Sequence, residues 1–216
     1  MSENAPSTPA PFSFGRTRDW PGYFEAVAGG TPRQTLLDAL DLFEARPAPD
    51  PRFAIDLGCG EGRDTAELLR RGWSVLATDG HPEALELLAS RDDLPERASD
   101  RLTTRVATFE TLDTLPEADL VNASFSLPFC VPEHFDRVWG LAVDAVRPGG
   151  RFAGQIFGDR DTWASIAARS HFTRSRAERL FEGFNLELFR EDEHDTADAS
   201  GNAKHWHVYH IVARKR

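Results

Sequence analysis

An apolar stretch runs straight into three glycines spaced by two: Ala54-Ile55-Asp56-Leu57-Gly58-Cys59-Gly60-Glu61-Gly62. A segment that reads as a helix follows at once, and this arrangement constrains the chain more than any other feature. Glycines at a strand-to-helix turn let the backbone pass tightly around a ligand and leave the N–H groups of the helix start open to it. A second carboxylate, Asp79, closes the next apolar stretch 21 residues after Gly58. An acid at that offset suits a nucleoside, whose two ribose hydroxyls can both donate to it.

The rest of the chain agrees with a strand-helix alternation. Residues 53–58, 73–79, 101–109, 118–125 and 151–157 read as strands, with helices over 63–72, 81–90 and 133–146 between them. Asp64 lies in the first turn of the first of these helices and Arg70 and Arg71 in its last, matching the helix dipole. Residues 173–184 give a further helix. Two final apolar segments, 184–189 and 205–214, flank a polar loop (191–204) with no helix between them, which predicts an antiparallel hairpin. Phe184, Leu186 and Leu188 should share one side of it. Upstream, residues 20–30 read as a short aromatic helix. A second helix follows over 31–43, with Thr31 as cap, Pro32 in the first turn, and Leu36, Ala39, Leu40 and Phe43 on one face. Three prolines within residues 45–51 terminate it. The expectation is an α/β fold: a doubly wound, mostly parallel, seven-stranded sheet with the last strand antiparallel. Residues 1–18, rich in Pro, Ser and Thr, read as a flexible arm, and 19–216 as one domain, with 19–45 a helical cap and 52–216 the α/β core.

Composition narrows the partners. The 216 residues carry 25 Lys+Arg against 35 Asp+Glu, a net charge of −10, which argues against a nucleic-acid backbone as partner. No apolar run reaches the roughly 20 residues of a membrane span, and the N-terminus lacks a signal layout. Two cysteines, Cys59 and Cys130, cannot build a disulfide framework or a four-thiolate zinc site. A soluble, reduced, cytoplasmic protein is expected, with no nucleic acid, no membrane and no metal.

Two ligands compete for the glycine loop. A dinucleotide fingerprint would need glycine at position 63, where the chain has Arg63, and Asp56 would repel a pyrophosphate. S-adenosylmethionine has ribose hydroxyls, an ammonium, a sulfonium and no phosphate, so the charges favour it. The segment Asp56-Leu57-Gly58-Cys59-Gly60-Glu61-Gly62 resembles motif I of the class I S-adenosylmethionine-dependent methyltransferases. Asp79 stands where that family has its ribose acid, and Val146-Arg147-Pro148-Gly149-Gly150 resembles the turn before its fifth strand. The narrower similarity is to small bacterial stand-alone enzymes of the tellurite-resistance and thiopurine methyltransferase-like kind. The resemblance implies that the backbone of Gly58, Cys59 and Gly60 meets the methionine end, that Asp56 orients its ammonium, and that Arg33 pairs with its carboxylate. It also places Asp79, Gly80, His81, Thr108, Phe109 and Glu110 around the ribose and adenine, with His81 and Phe109 flanking the base and Glu110 at its amino group, and Asn122 among the cofactor-binding residues. His81 reads equally as a helix-start residue, and Phe109 as core.

Three segments should form the acceptor rim: 122–129, 155–160 and 204–207. The first is not the N-P-P-Y loop of amino-group methyltransferases, because Leu127 replaces a proline and the offset is too long. His205 and His207, two apart on one strand face, and Tyr23 of the cap are the candidate catalytic groups. Arg169, Arg174, Arg176 and Arg179 form a basic cluster that reads as a solvated face. The expected function is methyl transfer to a small-molecule acceptor by in-line displacement, leaving S-adenosylhomocysteine. A non-catalytic cofactor-binding module is the alternative.

Overall fold

The computed structural model describes residues 19–45 and 52–216. The arm over 1–18 and the proline-rich 46–51 lie outside the described residues. Two helices, α1 (Trp20–Val27) and α2 (Gln34–Glu44), precede the sheet. Strands and helices then alternate: β1 (Phe53–Leu57), α3 (Arg63–Arg70), β2 (Ser74–Asp79), α4 (Pro82–Ala89), β3 (Leu102–Val106), β4 (Ala118–Ala123), α5 (Pro132–Ala145) and β5 (Val146–Gly158). The chain closes with β6 (His171–Phe172), α6 (Arg174–Leu180), β7 (Phe184–Ala197) and β8 (Ala203–Lys215).

The strand order is β3-β2-β1-β4-β5-β8-β7, with two-residue β6 pairing beside β5. Strands β1 to β6 pair in parallel, and β8 runs antiparallel to both β5 and β7. The doubly wound sheet with an antiparallel last strand is therefore as expected, and β6 makes it eight-stranded rather than seven. Helices cover both faces, which is why the central strands read as unbroken apolar runs. Alternation splits β1 between two cores. Ile55 and Leu57 join Phe135, Val138 and Trp139 of α5 on one face. Ala54 joins Leu36, Ala39 and Leu40 of α2 with Leu68 and Leu69 of α3 on the other.

Four expectations need correction. Helix α2 is capped at Arg33, not Thr31, because the Arg33 N–H is drawn to the Asp64 Oδ1 at 2.9 Å and its backbone stays extended. The turn at residues 147–150 lies inside β5, where a register shift against β4 absorbs it. Phe184 and Leu188 pack on opposite cores instead of sharing one side, since an irregularity between Leu186 and Leu188 breaks the alternation, and Leu186 is 44% exposed. Finally, the polar segment 191–204 is mostly strand. The hairpin continues to Ala197 and Ala203, held by cross-strand contacts between carboxylates and imidazoles rather than by apolar contacts.

Candidate functional site

The carboxyl ends of β1 to β4 open into one cavity of about 1240 Å³, covered by α1 and by the loop around residues 162–168. The glycine turn forms its floor. Gly58 has φ +73°, and a Cβ there would lie 2.5 Å from the Ser126 Cβ, so only glycine fits. The N–H groups of Gly58 and Cys59 both donate to the Thr78 carbonyl, at 2.8 and 2.9 Å, which ties the turn to β2. Asp79 ends β2, where its Oδ2 accepts from the Gly60 N–H and its Oδ1 from the His81 N–H, both at 2.9 Å. The carboxylate is thereby fixed at the cavity wall, and each oxygen retains a second acceptor site.

Beneath the turn lies a pair of carboxylates. Asp56 is 1% exposed and Asp64 3%. One amide bridges them: Asn122 Nδ2 donates to Asp56 Oδ1 at 2.9 Å and to Asp64 Oδ2 at 3.0 Å. The Thr65 hydroxyl donates to Asp56 Oδ2 at 2.6 Å. Burial, and then the neighbouring Asp64 charge, push the Asp56 carboxyl up to about 7. Burial likewise pushes the Cys59 thiol well above its ordinary range, consistent with a packing role for a cysteine inside the turn.

Helix α1 lies across this floor. A Cβ on Gly60 would touch the Phe24 ring at 3.6 Å, and Arg63 holds the helix end through the Val27 carbonyl at 3.0 Å. Trp20 packs against His81 with ring centroids 5.6 Å apart and against Phe129 at 5.0 Å. After β3, Thr108, Phe109 and Glu110 line the cavity, and Arg137 fixes this loop by donating to the Phe109 carbonyl at 2.6 Å and the Glu110 carbonyl at 3.2 Å. The Arg33 guanidinium lies 4.8 Å from the Phe125 ring centroid. Phe125 itself has φ +51°, a left-handed conformation uncommon for a bulky residue, and its N–H donates to Gln155 Oε1 at 3.0 Å. The charge balance is lopsided. Among the described residues, the cavity is lined by six carboxylates (Asp56, Glu61, Asp64, Asp79, Glu110 and Glu133) and two guanidinium groups, Arg33 and Arg63.

The cavity brings together Tyr23, Arg33, Asp56, Gly58, Cys59, Gly60, Asp79, Gly80, His81, Thr108, Phe109 and Glu110. Asn122 is fully buried behind the wall, where its amide is spent on the two carboxylates. His205 and His207 are also outside the lining. The His207 Nδ1 accepts the Arg160 N–H at 3.1 Å and its Nε2 faces Glu191 at 2.9 Å, while His205 sits between Asp195 and Glu193. Both belong to the hairpin's ion-pair network. That network nevertheless supports the rim, because buried Asp161 accepts from the Trp163 N–H, the His207 N–H and the Lys204 ammonium, and so holds the start of the 162–168 loop. In the basic cluster, Arg174 pairs with Glu178 and Glu191, and Arg176 with Asp136.

Sequence reasoning placed Phe125 only within the 122–129 rim segment, and missed Asp64 and His134 as parts of the site. Asp64 carried a signal, a carboxylate eight residues after Asp56 on the first turn after the glycines, but it reads the same as an ordinary dipole residue. His134 follows Val131 and Pro132 at the start of α5, and only the fold turns it to the cavity.

Residues 54–150 match the methyltransferase domain family. The chain is 30% identical over 147 residues to trans-aconitate 2-methyltransferase of Mycolicibacterium gilvum, covering 68% of this chain and 54% of that protein. It is 34% identical over 123 residues to the Mycobacterium tuberculosis protein of the same name, covering 55% and 42%. The chain thus spans about half the length of the curated relatives it matches. Among solved structures, TehB from Haemophilus influenzae superposes with a TM-score of 0.67 at 16% identity, over 83% of this chain and 62% of that one. The 1,6-didemethyltoxoflavin-N1-methyltransferase of Burkholderia thailandensis, solved with S-adenosylhomocysteine, gives 0.59 at 22% identity, over 90% and 84%. Residues 54–150 thus carry a match to the methyltransferase domain family, within a fold shared with TehB and other solved methyltransferases.

Proposed function

We propose that this chain transfers a methyl group from S-adenosylmethionine to a small-molecule acceptor. The observation that carries the reading is the Asp79 carboxylate, pinned by two backbone N–H groups beside a glycine turn in a cavity where carboxylates outnumber guanidinium groups. Such a site suits a cationic nucleoside and repels a pyrophosphate. The relatives named as trans-aconitate 2-methyltransferases also support a small substrate.

The residues fit the cofactor. Asp79 has one free acceptor site on each oxygen for the two ribose hydroxyls. The glycine turn leaves room for the methionine end, and the Asp56–Asp64 pair supplies negative potential beneath an ammonium. Arg33 is the guanidinium for the carboxylate, because Arg63 is already held by Glu61 and the Val27 carbonyl. His81 and Phe109 stand to flank the adenine, with Gly80, Thr108 and Glu110 along its edge. Bound there, the cofactor supplies an electrophilic methyl group on a sulfonium. The chain's contribution is to align the acceptor, exclude water beneath α1 and the 162–168 loop, and hold the reacting atoms in line. Tyr23 is the sequence-derived catalytic candidate that borders the cavity, and a sufficiently nucleophilic acceptor needs no base.

Calorimetric titration with S-adenosylhomocysteine tests this reading. The native protein should bind at micromolar affinity, and Asp79→Ala should weaken binding about 10- to 100-fold through loss of charge-assisted hydrogen bonds. Absence of binding to the native protein, or equal affinity in the variant, would overturn it.

A further inference from the structure

We infer that the acceptor end of the cavity takes an uncharged planar aromatic molecule, stacked at Phe125, and rejects polycarboxylates and oxyanions. This rests on the methyltransferase reading above and specifies its acceptor class. Room for a second molecule comes first. A cavity of about 1240 Å³ exceeds the roughly 300–1,000 Å³ of a single-ligand pocket.

The walls come second. Besides the residues assigned to the cofactor, the cavity is bordered by Trp20, Tyr23, Phe125, Phe129 and Ile166, followed by Ala167 and Ala168. Trp20 meets Tyr23 and Phe129 edge-on, with centroids 5.7 and 5.0 Å apart. Flat rings met edge-on extend naturally to one more flat ring. An aliphatic acid offers no such contact.

The backbone of Phe125 is the most pointed observation. A bulky aromatic at φ +51° is costly, and such residues persist where the surroundings over-determine them, often at ligand clamps. The surroundings here are a relay of buried hydrogen bonds: Phe125 N–H to Gln155 Oε1 at 3.0 Å, and Gln155 Nε2 to the Thr35 hydroxyl at 2.7 Å. The relay presents the ring to the cavity wall beside the Arg33 guanidinium, itself planar and able to stack on aromatic faces.

Charge supplies the exclusion. A polycarboxylate needs several cations with free hydrogen-bond donors when it leaves water. Both guanidinium groups of the described lining are engaged, Arg63 by Glu61 and Arg33 by the cofactor, and the Arg169 guanidinium behind the wall is stacked over Trp163 at 3.9 Å. A multiply charged anion would therefore leave water with no uncommitted guanidinium among the described lining residues to receive it.

The test is calorimetry on protein saturated with S-adenosylhomocysteine, using 2-naphthol as the aromatic probe and trans-aconitate and tellurite as anions. The naphthol should bind at least about tenfold tighter than either anion. Phe125→Leu, which keeps an apolar side chain but removes the ring, should weaken naphthol about tenfold while leaving S-adenosylhomocysteine affinity within about threefold. Phe125→Gly relieves the left-handed backbone but strips the ring from its packing on Phe157, Trp206 and His210, so naphthol binding should be lost with a Tm below the native value. Saturable binding of either anion at the naphthol's affinity, no naphthol binding, or unchanged naphthol binding in both variants would each overturn the inference. Failure of S-adenosylhomocysteine itself to bind would instead remove the methyltransferase reading, and the inference with it.

Discussion

Asp56→Asn should make the protein more stable, and increasingly so as pH rises. Burial and the neighbouring Asp64 hold the Asp56 carboxyl at about 7, against an ordinary 3.8, despite the opposing hydrogen bonds from Thr65 and Asn122. The folded chain therefore keeps a proton there at pH 5 to 6 that the unfolded chain has released. The associated stability is complete below the unfolded value near pH 4 and is lost as pH rises through 7. A gap of about 3 pKa units corresponds to about 4 kcal/mol, of which about 2–3 kcal/mol falls between pH 5 and 8. Asparagine keeps the volume. Its oxygen can accept from Asn122 and its amide can donate to the Thr65 hydroxyl, so the packing of the turn survives. Urea unfolding of both proteins, without ligand, at four pH values from 5 to 8 gives the comparison, because titrations of groups remote from Asp56 cancel in the difference. The variant's advantage should widen by about 2–3 kcal/mol over that range, or about 5–10 °C in Tm for a chain of this size. A difference that stays constant, or narrows with rising pH, would refute the argument. Asp64→Asn should move the native protein's pH dependence to lower pH, since the Asp64 charge is the second cause of the shift.

Two further perturbations probe the scaffold around the site. Lys204→Met leaves Asp161 buried without its cation, and urea unfolding should show a loss of about 3–5 kcal/mol, partly recovered by adding Asp161→Asn. Gly62→Ala combines φ +84° with a Cβ 2.3 Å from Leu88 Cδ1 and 3.0 Å from its Cβ, so about 2–4 kcal/mol should be lost. Gly29→Ala, at φ +70° in open space, should lose only the conformational share of about 1–2 kcal/mol in the same assay.

What could be read from sequence was what local chemistry dictates. The glycine turn and Asp79 were legible because a strand entering closely spaced glycines has few structural solutions, and the parallel order followed from the helices between strands. The buried face of α2 was legible because Leu36, Ala39, Leu40 and Phe43 keep a helical period. The hairpin was misjudged because strand signals rest on apolar alternation. Glu191, Glu193 and Asp195 on one strand face pair with Arg160, His205 and His207 instead, which reads as a polar loop. The same network explains why two adjacent-looking histidines, attractive as catalytic candidates, turn out to brace a loop. Phe125 was legible as part of the 122–129 rim, but its left-handed backbone gave no local sign, because the hydrogen bond that holds it comes from Gln155, thirty residues away. Asp64 was visible only as a helix-start acid, since its partners Arg33 and Asn122 come from other elements.

The central claim is that Asp79 and the glycine turn hold S-adenosylmethionine. A crystal structure of the full chain grown with S-adenosylhomocysteine tests it most directly. The account requires the ribose diol on the two Asp79 oxygens, the methionine end over Gly58 to Gly60, and the adenine between His81 and Phe109. Ligand density elsewhere, or a ribose turned away from Asp79, would contradict it.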